Sequence, residues 1–151
     1  MSIIENRTYD EIAVGDVAEV TREVTKADIQ LFAAVSGDVN PAHLDAEYAA
    51  GTRFKDVIMH GMWGGALISA VLGTRLPGPG TIYLSQSLAF KRPVCLGDRI
   101  TVRVEVKTKR DDKKFVTLDC VALNQRGEKV IEGEAVVMAP SEKIRWEPSS
   151  V

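Results

Sequence analysis

The segment from Val57 to Thr74 contains no Asp, Glu, Lys or Arg, and this feature most restricts the folds available to the chain. Its length is about that of a membrane-spanning helix. However, it contains His60, Ser69 and four glycines, and no other segment is hydrophobic enough to accompany it in a membrane. A helix that is apolar on all sides is otherwise typical of a protein interior. We therefore predict no membrane insertion and a buried central helix over Gly61 to Thr74, ended by the turn residues Leu76 to Gly80.

Alternating apolar and polar residues beyond this helix predict β-strands with one buried face. The clearest alternation runs from Ile100 to Lys107. Strands are predicted over residues 17–24, 81–90, 100–107, 115–123 and 130–138. The fold class is therefore α+β, a single hot-dog domain in which an antiparallel sheet wraps around the long apolar central helix. Such a sheet leaves exposed edges and one uncovered helix flank, so a homodimer or larger homo-oligomer is expected.

Length and composition fit one globular domain. The chain has 151 residues, of which 45% are hydrophobic, and we assign residues 1–151 to one domain with a core over about 16–138. Residues 139–151 are expected to form a polar, loose C-terminal tail. The net charge of −2 argues against a nucleic-acid partner. Residues 1–12 lack the basic and apolar regions of a signal peptide, so a cytoplasmic location is expected.

Asp38 and His43 lie five residues apart in the segment SGDVNPAH. This spacing separates two side chains by about 140° on a helix and places them on opposite faces of a strand. The preceding helix is predicted to end at Gly37, and Asn40-Pro41 marks a turn that Asn40 can hold through local hydrogen bonds. A bend of this kind can bring a carboxylate and an imidazole together as a general acid–base pair. On spacing alone a structural interpretation stays open, in which Asp38 caps the turn and His43 fills a polar site.

The start of the central helix is the second feature that can carry chemistry. A helix N-terminus has free N–H groups, and Gly61 would let a carbonyl oxygen approach the backbone, as an oxyanion hole requires. Relief of crowding against the sheet explains Gly61 equally well. His60 is predicted to be structural rather than catalytic. Ser69 either bonds back to the preceding turn or offers its hydroxyl to the site, and Leu72 could line an apolar pocket.

Several other chemistries lack their sequence signatures. There is no G-x-S-x-G motif for serine hydrolysis, and no Walker or GxGxxG motif for nucleotide chemistry. The two cysteines are far apart, and the histidines and carboxylates lack a convincing metal-ligand spacing. We therefore predict no disulfide, no metal and no other cofactor.

Three segments resemble those of a known family. The segment SGDVNPAH resembles the signature of the MaoC-like (R)-specific enoyl-CoA hydratases, and His60-Gly61-Met62 resembles their helix entry. The segment from Leu76 to Phe90 resembles the approach to the long strand in short, single-domain bacterial members. The resemblance covers about Asp16 to Met138. It implies reversible addition of water to a trans-2-enoyl-CoA, giving the (R)-3-hydroxyacyl-CoA, with the acyl-CoA thioester as substrate and no cofactor.

The resemblance also implies roles for individual residues. Asp38 and His43 would be the catalytic pair, and the backbone N–H of Gly61 would bind the thioester oxygen. Ser69 would match a helix serine that supports the site. From their positions in the sequence, Asn40, Met62, Trp63 and Leu72 are further candidates for supporting or substrate-binding roles. Trp63 stands where a smaller aliphatic residue is expected. It either packs in the core, which is favoured, or faces the acyl tunnel and favours short chains.

Three alternative functions share this fold. An (R)-3-hydroxyacyl-acyl-carrier-protein dehydratase would use the same residues, and the sequence does not separate it from an enoyl-CoA hydratase. A hot-dog thioesterase and a non-catalytic acyl-binding subunit are disfavoured, because the Asp38/His43 pair is intact.

Overall fold

A computed structural model describes residues 3–149 and contains one mixed α+β domain. The helices are α1 Lys26–Ser36, α2 Pro41–Leu44, α3 Ala46–Ala50 and α4 Gly61–Thr74. The strands are β1 Ile4–Glu5, β2 Val17–Glu23, β3 Ile82–Gln86, β4 Ala89–Phe90, β5 Arg99–Arg110, β6 Phe115–Leu123, β7 Lys129–Met138 and β8 Arg145–Trp146. No helix within residues 3–149 is both long and apolar enough to cross a membrane.

The main sheet has the order β2-β5-β6-β7-β3, and β4 also pairs with β7. Every pair is antiparallel. The alternation of buried and exposed side chains predicted for β5 is observed. The side chains of Ile100, Val102, Val104 and Val106 are buried, while their neighbours are exposed or half-buried. The predicted hot-dog arrangement is therefore confirmed.

Helix α4 occupies the concave side of this sheet and packs on β2 and β5. Its buried residues are Trp63, Gly64, Gly65, Leu67, Ile68, Val71 and Leu72. One stripe of the helix, at Met62, Ala66, Ser69 and Gly73, remains exposed. This stripe is the uncovered flank that the sequence led us to expect.

The segment predicted as one strand over residues 81–90 is broken in two at Ser87-Leu88. The break lies opposite Gly133 in β7. A Cβ at Gly133 would lie 1.9 Å from the carbonyl oxygen of Ser87, so only glycine allows the two backbones to approach this closely. The strand therefore ends at Gln86 and resumes at Ala89.

The expectation of a loose tail after residue 138 is wrong for the part of the tail that the structure describes. Strand β8 pairs with β1, and the buried Asn6 side chain donates hydrogen bonds to the carbonyls of Pro79 and Glu142 at 3.0 and 2.8 Å. Residues 150 and 151 lie outside the described residues. The core also begins earlier than residue 16, because Tyr9 and Ile12 are buried in it.

Candidate active site

The SGDVNPAH segment forms a compact bend between α1 and α2. Gly37 ends α1 in the left-handed conformation, with φ of 77°. The Asn40 N–H donates to Asp38 Oδ1 at 3.2 Å, and Asn40 Oδ1 accepts the N–H of Ala42 at 3.0 Å. Asn40 thus caps α2, in which Pro41 is the first residue. This local bonding turns the chain so that His43 returns toward Asp38, and it agrees with the turn-holding role predicted for Asn40.

Asp38 and His43 face each other across a short gap. Asp38 Oδ2 and His43 Nε2 are 3.8 Å apart, too far for a direct hydrogen bond. The other ring nitrogen, Nδ1, lies 2.8 Å from the carbonyl oxygen of Ile58. Because a carbonyl only accepts, Nδ1 carries the proton of the neutral ring, and Nε2 presents a lone pair. Two acceptors at this separation can hold one water molecule between them.

A basic cleft of about 250 Å³ opens beside this pair. Its wall contains His43, Gly61 and Phe90, with the cations of Arg53, Lys91 and Arg92 around it. Gly61 is the first residue of α4, so its N–H has no partner within the helix. His43 and Gly61, two residues expected to act on the substrate, therefore line one space.

A second, apolar cleft of about 500 Å³ follows the exposed stripe of α4. It is lined by Phe32, Met62, Gly65, Ala66, Ser69, Tyr83, Leu84, Ser85, Gln86 and Leu88. Two residues singled out from the sequence, Met62 and Ser69, thus lie on its wall. Burial raises the pKa of Tyr83 to about 12, so its hydroxyl stays protonated and donates to Gln86. The cleft is suited to a hydrocarbon chain rather than to a charged group.

Trp63 and Leu72 lie away from both clefts. Trp63 is buried in the hydrophobic core, which was the favoured interpretation, and it lines neither the basic nor the apolar cleft. Leu72 is also in the core, so its expected position on a pocket wall beside the pair is wrong for these two clefts. The physical reason is helix phase, because Leu72 lies on the sheet-facing side of α4 and Ser69 on the open side.

His60 completes a cluster with Asp38 and His43, whose ligand atoms lie within 4.8 Å of one another. The two imidazole rings are stacked, with centroids 3.9 Å apart and planes inclined by 23°. Lone pairs lie in the ring planes, so stacked rings do not direct them toward one point. His60 Nε2 and His43 Nδ1 are moreover engaged with backbone carbonyls. The arrangement fits an acid–base pair better than a metal site.

Sequence reasoning missed several groups around the site. The Ile58 carbonyl, which orients His43, carries no sequence signal, because every residue has such a group. Phe90 and Ile131 reach the basic cleft only through the sheet. Lys91-Arg92 did offer a signal, a basic pair directly after the strand predicted over residues 81–90.

Comparisons with known proteins identify the family of the chain and several similar proteins. Residues 12–125 match the family described as MaoC like domain. The chain is 49% identical over 133 residues to an (R)-specific enoyl-CoA hydratase of Rhodospirillum rubrum, covering 88% of this chain and 92% of the relative. It is 46% identical to an (R)-specific enoyl-CoA hydratase of Aeromonas caviae, covering 85% and 96%. The solved structure of unliganded R-hydratase PhaJ1 from Pseudomonas aeruginosa superposes with a TM-score of 0.95 at 53% identity, covering 99% and 96%.

Proposed function

The chain belongs to the MaoC-like domain family, and on that premise we propose that it is an (R)-specific enoyl-CoA hydratase. The reaction is the reversible addition of water to a trans-2-enoyl-CoA, giving the (R)-3-hydroxyacyl-CoA. The observation that carries the proposal is the 3.8 Å separation of Asp38 Oδ2 and His43 Nε2, with a free acceptor on each side. The identities of 46–49% to named (R)-specific enoyl-CoA hydratases support the same activity.

In the hydration direction, the pair orients and activates water. One water donates its two O–H groups to Oδ2 of Asp38 and Nε2 of His43, which leaves a lone pair directed at C3 of the enoyl group. As the C3–O bond forms, the pair takes one proton from the water. It then returns one proton to C2 on the same face, so no proton is gained or lost overall. Such positioned proton transfer contributes about 10²–10⁴-fold to rate.

Negative charge develops meanwhile on the thioester oxygen. We assign its stabilisation to the N–H of Gly61, at the positive end of the α4 dipole. Because Gly61 has no side chain, a thioester oxygen can approach its backbone N–H without meeting a Cβ. None of these reaction steps uses a metal or a redox group. The absence of a cofactor remains a prediction.

The two clefts suggest how the substrate lies. The acyl chain would lie in the apolar cleft along Met62 and Ser69, and the CoA part of the substrate would lie in the basic cleft. There Lys91 and Arg92 pair with Glu132 and Glu128 at 3.4 and 3.2 Å. Arg53 has no carboxylate partner among residues 3–149, which leaves it available to a phosphate of CoA.

The second candidate, a dehydratase acting on acyl-carrier-protein thioesters, is favoured by the same cations, because a carrier-protein arm also bears a phosphate. Matched kinetics separate the two candidates. With crotonyl-CoA and the crotonyl thioester of a carrier protein at equal concentrations, we expect the higher kcat/KM for CoA. The reverse order would favour the dehydratase.

We further propose that the protein is a homodimer. Strand β3 is an edge of the sheet, and it carries the exposed side chains of Ile82 and Leu84. An unpaired apolar edge is a site of strand pairing between chains. Light scattering should therefore give twice the chain mass of 16.5 kDa.

A cytoplasmic location also remains a prediction.

The deciding experiment follows the loss of the enoyl-thioester absorbance of crotonyl-CoA. Wild-type protein should hydrate it, and chiral analysis should find the (R)-3-hydroxy product. Asp38→Asn and His43→Gln, which keep side-chain size, should each lower kcat by about 10²-fold or more. Dialysis against EDTA should leave the rate unchanged. An inactive wild type, or full activity in both variants, would overturn the proposal.

A further inference from the structure

One buried side chain touches both members of the acid–base pair. The His60 side chain is 3% exposed, its ring stacks on His43, and its Nε2 lies 2.9 Å from the backbone carbonyl oxygen of Asp38. His60 also directly precedes Gly61 at the start of α4. We propose that His60 is a positioning residue that holds Asp38, His43 and the Gly61 N–H at their working separations. This inference rests on the proposed function.

Asp38 depends on His60 for its place relative to the rest of the site. Its other hydrogen bonds among residues 3–149 are local: its N–H donates to Ser36 Oγ at 3.1 Å, and its Oδ1 accepts the N–H of Asn40 at 3.2 Å. The Asp38 side chain is 52% exposed and gains little from packing. The contact from His60 spans 22 residues of sequence. It is therefore the hydrogen bond that ties Asp38 to the start of α4.

The hydrogen bond also determines which nitrogen of His60 bears the proton. The Asp38 carbonyl only accepts, so Nε2 donates and Nδ1 presents a lone pair. Nδ1 is buried and has no hydrogen-bond partner within residues 3–149. A phenyl ring would fill this space without burying an unpaired nitrogen. The imidazole differs from a phenyl ring in offering the Nε2–H donor. This donor therefore explains why a histidine, rather than a phenylalanine, stands at position 60.

Phe32 also packs against the ring. The centroids of Phe32 and His60 are 5.0 Å apart, with planes inclined by 51°. His60 thus contacts both Phe32 and His43, and because it is also buried it has little freedom to rotate. Because the ring is inaccessible, it does not touch substrate, and its loss should alter kcat rather than KM.

Two substitutions separate the donor from the bulk of the ring. His60→Phe keeps an aromatic ring against His43 and removes the donor to Asp38. His60→Gln keeps an N–H donor of similar reach and removes the ring. Misplacement of a catalytic group by about 1 Å costs about 10²-fold. We expect kcat of H60F with crotonyl-CoA to lie at least about tenfold below that of H60Q, with KM of both within about threefold of wild type. A smaller gap, or a loss confined to KM, would overturn the proposal.

Asn124→Ala is the matched control for a general loss of stability. Asn124 is also a buried polar residue, and its side chain bonds Glu128 and the backbone of Arg126 in the turn between β6 and β7. We expect this variant to melt at a lower temperature with unchanged kcat. If its kcat fell as much as that of H60F, the lower kcat of H60F would be explained by a general loss of stability, and the proposal would be overturned.

A measurement on the wild-type protein tests the contact without any activity. The chain has only two histidines, so ¹⁵N–¹H spectra of the imidazoles assign readily. We expect His43 to carry its proton on Nδ1 and His60 on Nε2. A proton on Nδ1 of His60 would refute the proposal even if the His60 variants fail to fold. Failure of the hydratase assay alone would instead refute the proposed function.

Discussion

Replacing Gly61 by Ala tests the oxyanion site, and the expected result is a large loss of activity with little loss of stability. A Cβ at this position would lie 3.1 Å from Cδ1 and Cε1 of Phe90. The Phe90 ring must therefore move by a few tenths of an ångström, which a half-exposed side chain can do. Alanine also improves helix propensity by about 1 kcal/mol. We expect the free energy of unfolding to change by about 1 kcal/mol or less.

The loss of activity follows from where the new methyl group sits. The substitution would add a methyl group to the wall of the basic cleft, against Phe90 and beside the Gly61 N–H that the thioester oxygen must reach. Removal of one oxyanion-hole donor costs about 10²–10³ in kcat. Because the N–H itself remains in the variant, we take the lower end, a fall of about 100-fold in kcat/KM, or about 2.7 kcal/mol.

Gly73→Ala is the control on the same helix. No atom lies within 4 Å of a Cβ at Gly73, so this variant should gain about 0.5–1 kcal/mol of stability at unchanged kcat/KM. The assays are initial rates with crotonyl-CoA and urea denaturation of all three proteins. Wild-type kcat/KM in Gly61→Ala would show that the substrate oxygen does not approach Gly61. Equal losses in both variants would point to the flexibility of α4 instead.

Three further predictions concern the core, the termini and the thiols. Because Trp63 lies in the core, Trp63→Ala should lower the free energy of unfolding, measured in urea, by about 3–5 kcal/mol. It should leave the ratio of octenoyl-CoA to crotonyl-CoA turnover unchanged, and a raised ratio would show that Trp63 contacts the acyl chain. Hydrogen bonds from the Thr8 N–H and from Lys143 lower the pKa of Glu11 from 4.5 to about 2. The contribution of ionised Glu11 to the stability of the fold is therefore present above pH 4.5 and is lost as the pH falls toward 2. The Tm difference between wild type and Glu11→Gln should therefore shrink over that window, and a constant difference would contradict this. Burial raises the pKa of Cys120 to about 11, so the native protein at pH 8 should react slowly with a disulfide reagent at this thiol, whereas urea should expose both thiols; rapid native labelling of Cys120 would contradict its burial.

The features that the sequence determined by itself are those whose causes are local. A run without charged side chains predicts α4, and the alternation of β5 predicts its buried face, because each pattern records which side of an element meets water. Gly37 and Asn40 determine the bend through their own backbone conformation and hydrogen bonds. Asp38 and His43 lie in this bend, but local pattern alone left a structural interpretation open, and the resemblance to the MaoC-like family implied their catalytic roles.

The tertiary structure alone decided what depends on contacts between distant segments. Gly133 breaks the strand at Ser87 because two backbones meet there, and the chain ends pair as β1 and β8. Trp63 and Leu72 turn away from both clefts because the sheet covers that side of α4. The separation of Asp38 from His43 likewise depends on distant groups. The Ile58 carbonyl, 15 residues from His43, orients one ring, and His60, 22 residues from Asp38, holds the bend. No local pattern specifies either contact, because both arise only when α4 docks in the sheet.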